Sequence, residues 1–173
     1  MKYFTWILFA GLLITGCTKD RLPVRFQMAY LNKTIEIGAG LNVFQSHYFT
    51  IHNINSQIED YLDAQNITVG EIDNILPRTC TFTNISSNSS YNFIDEVLIR
   101  IFDPADPDTK YEIFYNDIVD INTGAELVLF PNENDVKQFL TKDNFSLEIV
   151  LRRLRDSPTE FIRTRIDLRF DVR

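Results

Sequence analysis

The sequence predicts an all-β chain, folded as one antiparallel two-sheet β-sandwich with one or two short helical turns. Three observations predict it. Phe, Tyr, Ile, Val and Thr gather in short runs, separated by the Asn, Asp, Pro and Gly that favour turns. The last run alternates apolar and charged residues with period two. No long helical pattern competes with these strands.

The last run is the clearest. In Phe161 to Val172, Ile162, Ile166, Leu168, Phe170 and Val172 share one parity, and Arg163, Arg165, Asp167, Arg169 and Asp171 share the other. The run before it, Asn144 to Arg155, places Phe145, Leu147, Ile149 and Leu151 on one face. Asp156-Ser157-Pro158-Thr159 supplies turn chemistry between them, so the two are expected to form a C-terminal hairpin. Six further strands are predicted at Phe26 to Ile37, His47 to Asn53, Arg78 to Ile85, Asn92 to Phe102, Lys110 to Ile118 and Glu126 to Phe130. Eight short strands make a sandwich the natural architecture. Ser56-Gln57-Ile58-Glu59 has the form of a capping box and predicts a helical turn. Asn134 to Leu140 predicts a second.

The first residues have a different character. Lys2 is followed by the apolar run Tyr3 to Ile14, which would span only about 18 Å as a helix, against a hydrocarbon core of about 30 Å. A cleaved secretory leader is expected rather than a permanent membrane span. Leu13-Ile14-Thr15-Gly16-Cys17 resembles the bacterial lipobox. The resemblance implies thioether attachment of diacylglycerol to the Cys17 sulfur, cleavage between Gly16 and Cys17, and often acylation, palmitate included, of the new amino terminus; no cofactor is expected beyond this lipid. The expected organisation is a lipoprotein signal peptide over 1–16, a lipidated anchor and short tether over 17–23, and the β-sandwich over 24–173. Thr18 after the cysteine favours the outer membrane. Cys17-Thr18-Lys19-Asp20 is similar to the signal that exports Bacteroidota lipoproteins to the cell surface, although Arg21 stands where that signal has a second acid. The cell-surface face is therefore expected, with the periplasmic face as the alternative. Thr18 to Leu22 reaches only about 18 Å, which would hold the domain close to the lipid headgroups.

Composition narrows the function classes. Loss of Lys2 with the leader takes the formal charge from −7 to −8, which disfavours a general nucleic-acid binder. With Cys17 lipidated, Cys80 has no partner for a disulfide, and the alternation of Thr79-Cys80-Thr81-Phe82 makes it a buried thiol. No Gly-x-Ser-x-Gly, His-Glu-x-x-His or phosphate loop occurs, so an enzyme is not expected.

Gly40-Leu41-Asn42-Val43-Phe44 and His47-Tyr48-Phe49, set in this strand pattern, resemble small Bacteroidota outer-membrane lipoproteins with an immunoglobulin-like β-sandwich domain. The resemblance covers most of the chain after residue 16. It implies that fold and location and brings no activity with it.

Two groups of charged residues are candidate sites. Seven of the eleven arginines fall within 152–173, giving that segment a charge of +3 and leaving −11 on the rest of the chain after residue 16. Arg152, Arg163, Arg165 and Arg169 are expected to form an anion-binding stripe or, alternatively, to pair with carboxylates across strands. Asp103, Asp106 and Asp108 concentrate oxygen ligands in one loop, a weak calcium candidate without EF-hand spacing. His47 and His52 point to opposite faces of one strand and cannot chelate one metal. The expected function is a non-enzymatic, lipid-anchored interaction subunit of an outer-membrane assembly, such as β-barrel machinery for uptake, secretion or barrel assembly. A glycan- or peptide-binding surface lipoprotein is the alternative, with Tyr91, Tyr111 and Tyr115 as platforms, and a small hydrolase is the least favoured.

Overall fold

The computed structural model describes residues 22–86 and 89–173. The leader, Cys17 and most of the tether lie outside the described residues. Eight strands form: β1 Phe26–Ile37, β2 His47–Asn55, β3 Ile75–Asn84, β4 Ile94–Asp103, β5 Asp106–Asn116, β6 Glu126–Pro131, β7 Asn144–Leu154 and β8 Ile162–Val172. Helix α1 spans Ile58–Gln65 and α2 is the single turn Lys137–Leu140, with a 3-10 turn at Val69–Glu71 between α1 and β3.

The all-β, antiparallel class holds. The division into two clear immunoglobulin-like sheets does not, because the strands join in one sheet of order β1-β8-β3-β6-β5-β4-β7-β2 that curls almost to closure. β6 makes the join. Its residues 126–129 pair with β3, and Phe130 and Pro131 pair with β5. The sheet therefore has two layers continuous through β6 and an open seam where edge strands β1 and β2 face each other.

Strand direction alternates around this sheet, so the odd strands run one way and the even strands the other. The loops 38–46, 85–93, 117–125 and 155–161 consequently gather at one end, called here the upper end. The first described residues, α1, the β4–β5 turn, α2 and the C-terminus lie at the lower end. The expected C-terminal hairpin does not form: β7 pairs with β2 and β4, while β8 pairs with β1 and β3 in the other layer. Turn chemistry at 156–159 is local and cannot reveal that the chain crosses the barrel mouth there. The β3–β4 connection, described over 85–86 and 89–93, joins strands on either side of the same mouth, and the stretches carrying α1 and α2 cross the lower one.

The inward residues of all eight strands meet in one core that includes Met28, Cys80, Phe82, Ile99, Phe114, Phe145, Leu168 and Phe170, all fully buried. Burying a side chain of this size contributes about 1.5–3 kcal/mol. Aromatic edges link the layers: Tyr30 packs edge-on to Phe145 at 4.9 Å and to Phe170 at 5.9 Å, and Phe114 meets Phe170 at 5.9 Å. Burial pushes the Cys80 thiol well above its ordinary range, as befits a packing residue.

The Ser56 capping box is replaced by a different arrangement. Ser56 is buried and its Oγ accepts weakly from Ile58 N–H at 3.4 Å, while Gln57, in the left-handed region at φ 53°, precedes the first helical residue. The box forms instead at the 3-10 turn, where Glu71 accepts from Thr68 N–H at 2.8 Å and from its hydroxyl at 3.1 Å. That bond holds the Glu71 carboxyl below its ordinary range.

Each edge strand carries a bulge of the same design. On β1, Leu31 and Asn32 stand opposite Asp167 alone, and on β2, His52 and Asn53 stand opposite Ser146 alone. Asn32 and Asn53 both adopt left-handed backbone, at φ 58° and 51°. In each case the opposing side chain satisfies the bulged N–H, Asp167 Oδ1 at 2.7 Å and Ser146 Oγ at 3.2 Å. Such bulges bend an edge and discourage further pairing. Asn tolerates left-handed backbone, whereas a β-branched residue does not. Asn32→Val or Asn53→Val should therefore cost about 1–2 kcal/mol in urea unfolding, whereas Asn→Gly at either site should change stability by less than about 0.5 kcal/mol.

Candidate interaction surface

The structure separates the arginines that the sequence places together. Arg152 lies on the outer face of β7, and Arg163, Arg165 and Arg169 lie on the outer face of β8 in the other layer. No single stripe exists. Most of these cations are also spent on carboxylates: Arg152 pairs with Glu96 at 2.8 Å, Arg163 with Glu36 at 3.1 Å and Arg165 with Asp167 at 3.1 Å. Asp95 takes both Arg153 and Arg155. Arg169 alone of the four candidates has no ion pair among the described residues. Cross-strand pairing, the alternative weighed from the sequence, describes Arg152 and Arg163, whereas Arg165 pairs with Asp167 two positions along its own strand.

The acidic loop is likewise a structural turn. Asp103 and Asp106 pair across the tight β4–β5 connection. Asp103 Oδ1 accepts from Ala105 N–H at 2.8 Å and Oδ2 binds Lys142 of the β6–β7 segment, which together hold the carboxyl below its ordinary range. Asp106 and Asp108 are exposed on β5. Among the described residues, no three side chains of His, Cys, Asp or Glu gather as a metal would require. His47 is occupied by Asn42 O at 2.8 Å, and His52 sits exposed in the β2 bulge.

A different feature emerges on the outer face of the layer β2-β7-β4-β5-β6. Register aligns Tyr48 with Val150, Val150 with Leu98, Leu98 with Tyr115, and Tyr115 with Phe130. These five residues form an apolar band that crosses five strands. Its centre is dry, with Val150 2% and Leu98 3% exposed although both point away from the core, whereas its ends Tyr48 and Phe130 are 61% and 56% exposed. The Tyr115 and Phe130 rings lie 6.2 Å apart, and Val128 adds exposed surface on β6. The band is contiguous in register, and its solvent-exposed area lies at its ends, at Tyr48 on β2 and at Val128 and Phe130 on β6. Tyr115 thus belongs to a surface, while Tyr91 is fully buried with its hydroxyl on Thr164 Oγ1 at 2.9 Å, and Tyr111 packs edge-on against Phe139.

The band has charged borders. Below it, Glu148 is buried and accepts from Lys110 Nζ at 2.6 Å and Arg100 Nη1 at 3.3 Å, and Lys110 lies 5.4 Å from the centre of the Phe102 ring. Above it stands the Arg152–Glu96 pair. Sequence reading missed the band because its members come from five strands, and their alternation fixed only that each lay opposite a core position.

No protein-family model matches the chain, and neither a curated protein nor a solved structure matches it.

Glu148→Ala strands two cations beside an apolar face, and should lower stability by about 2 kcal/mol in urea unfolding, with Glu148→Gln intermediate. Asp103, whose folded pKa is depressed, contributes stability that is present above its unfolded pKa and lost as pH falls through the folded value. Asp103→Asn should therefore lower the melting temperature at pH 7, and the difference from the parent should shrink as pH falls below the ordinary carboxylate range and through the lower folded value.

Proposed function

We propose that this chain is a lipid-anchored docking subunit of an outer-membrane protein assembly, held at the membrane by Cys17 and binding a protein partner through the Tyr48-Val150-Leu98-Tyr115-Phe130 band. The observation that carries the proposal is the band itself: apolar, contiguous and outward-facing on a layer whose inner face is already committed to the core. Its aromatic ends are of the residue type that anchors protein interfaces. The lipobox supports the location, and the Lys-acidic residues after Cys17 support the surface-exposed face in a bacterium of the Bacteroidota type. The two β-layers support a kinship with immunoglobulin-like lipoproteins, in a variant that shares β6 between layers.

Orientation supports lateral docking. The first described residues lie at the lower end, where Arg25 N–H donates to Val172 O at 2.8 Å, so lipidation of Cys17 would attach the domain by that end. The band then runs around the side of the domain, in reach of a neighbour on the same membrane. Among the described residues no helix is long and apolar enough to cross a membrane.

Cys17→Ser should abolish incorporation of labelled palmitate and release the chain from the outer-membrane fraction. Independently, Tyr48→Ser with Phe130→Ser should leave the melting temperature within a few degrees and eliminate the partner recovered by crosslinking from native membranes. Full recovery of that partner with the double variant would refute the band as the docking face.

A further inference from the structure

We propose that a second surface, the cleft at the upper end, docks a basic polypeptide segment carrying apolar residues. The inference rests on the docking role above but on a different part of the molecule. The described segment 89–93 and the crossover 155–161 line the cleft over the barrel mouth, with Ile121 of the β5–β6 loop closing a third side. Between them lies an open cleft of about 410 Å³. Its apolar walls come from Phe93, Ile121, Pro158 and Ile162, and its charged rim from Asp156 and Glu160. Exposed Ile118 and Phe161, in the same set of loops, extend the apolar surface around it.

Charge decides what fits. The four upper loops hold Asp117, Asp120, Asp156 and Glu160 and one cation, Arg155. Arg155 is committed: it pairs with Asp95 at 2.6 Å and donates to the carbonyls of Ile94 at 2.6 Å and Asn92 at 3.3 Å. Asp156 and Glu160 receive only neutral donors, Ser157 N–H at 2.7 Å and the Ser89 hydroxyl at 2.8 Å. Neither carboxylate meets a cation among the described residues. A lysine or arginine of a partner would neutralise this rim while an adjacent apolar side chain packs on Ile121 and Phe93. An anionic partner, the chemistry that the arginine count suggests, would meet like charge here.

The test uses the full-length chain in its native membrane, with a photo-crosslinking residue placed singly at Ile121 or Ser157 in the cleft, at Phe130 in the band, and at Asp106 at the lower end. The expected result is an adduct from Ile121 and Ser157 whose crosslinked peptide, identified by mass spectrometry, holds Lys or Arg within a few residues of the link. In Asp156→Asn/Glu160→Gln, which keeps both acceptor oxygens, adduct yield should fall about fivefold or more while melting is unchanged. A cleft adduct to a peptide without basic residues, or one indifferent to the neutralisation, overturns the inference. Adducts from Phe130 with none from the cleft overturn it and leave the docking role intact. Absence of adducts from all four positions overturns both.

Discussion

Tyr30 holds the one place where this barrel is not held by its backbone. Seven strand pairings carry hydrogen-bond ladders, but between β1 and β2 there is none, and an open seam in a curled sheet would let water reach the core. Tyr30, on β1, reaches across. Its ring packs edge-on against Phe145 of β7 and Phe170 of β8, and its buried hydroxyl donates to Ser56 O at the end of β2 at 2.8 Å. Burial pushes the phenol far above its ordinary pKa, which favours the neutral, hydrogen-donating form seen in this bond. Tyr61 of α1 guards the lower part of the same edge. Its hydroxyl accepts from Ala29 N–H at 3.0 Å and its ring stacks on Phe26 at 6.0 Å. Side chains thus replace the missing ladder, and the paired bulges at Asn32 and Asn53 keep the two edges from finding either each other or a third strand.

That division between ladder and side chain explains what was legible in the sequence. Alternation is local, so all eight strands were found, and β1 was bounded to the residue. The core was found with them, because Phe145, Leu147, Ile149 and Leu151 on β7 and Ile162, Ile166, Leu168, Phe170 and Val172 on β8 share the expected parities and are buried. Pairing is non-local. The Asp156-Ser157-Pro158-Thr159 turn signal is genuine chemistry, but the same residues serve a crossover as well as a hairpin, and only the partners of β7 and β8 decide between them. The misplaced cap has a similar cause. Ser56 satisfies the Ser-x-x-Glu pattern, yet burial at the end of β2 fixes its side chain, while Thr68 and Glu71, with the same pattern and no such constraint, form the box.

Charge was the least legible property, for an instructive reason. A segment charge of +3 says nothing about where its counter-ions lie. The partners of Arg152, Arg153 and Arg155 sit on β4, some fifty to sixty positions away in the chain, and the partner of Arg163 sits on β1, 127 positions away. Once these pairs form, most of the segment's arginines are matched by carboxylates, with Arg169 left unpaired among the described residues, and the acids left unpaired, not the arginines, set the sign of the upper end. Exposed pairs of this kind contribute little each to stability. Their larger effect here is on recognition, because they remove the cations that a partner would otherwise meet.

The alternation of strand direction gives the remaining step. Because odd and even strands run oppositely around the whole sheet, every odd-to-even loop falls at the upper end, and the first described residues and the C-terminus fall at the lower end. The lower end carries the acids of α1 and its following turn, Glu59, Asp60, Asp63 and Glu71, and the turn carboxylates Asp103 and Asp106, of which Asp103 is paired with Lys142. The side band and the upper cleft therefore lie on different parts of the molecule, and the same strand order that puts β7 and β8 in different layers is what separates them.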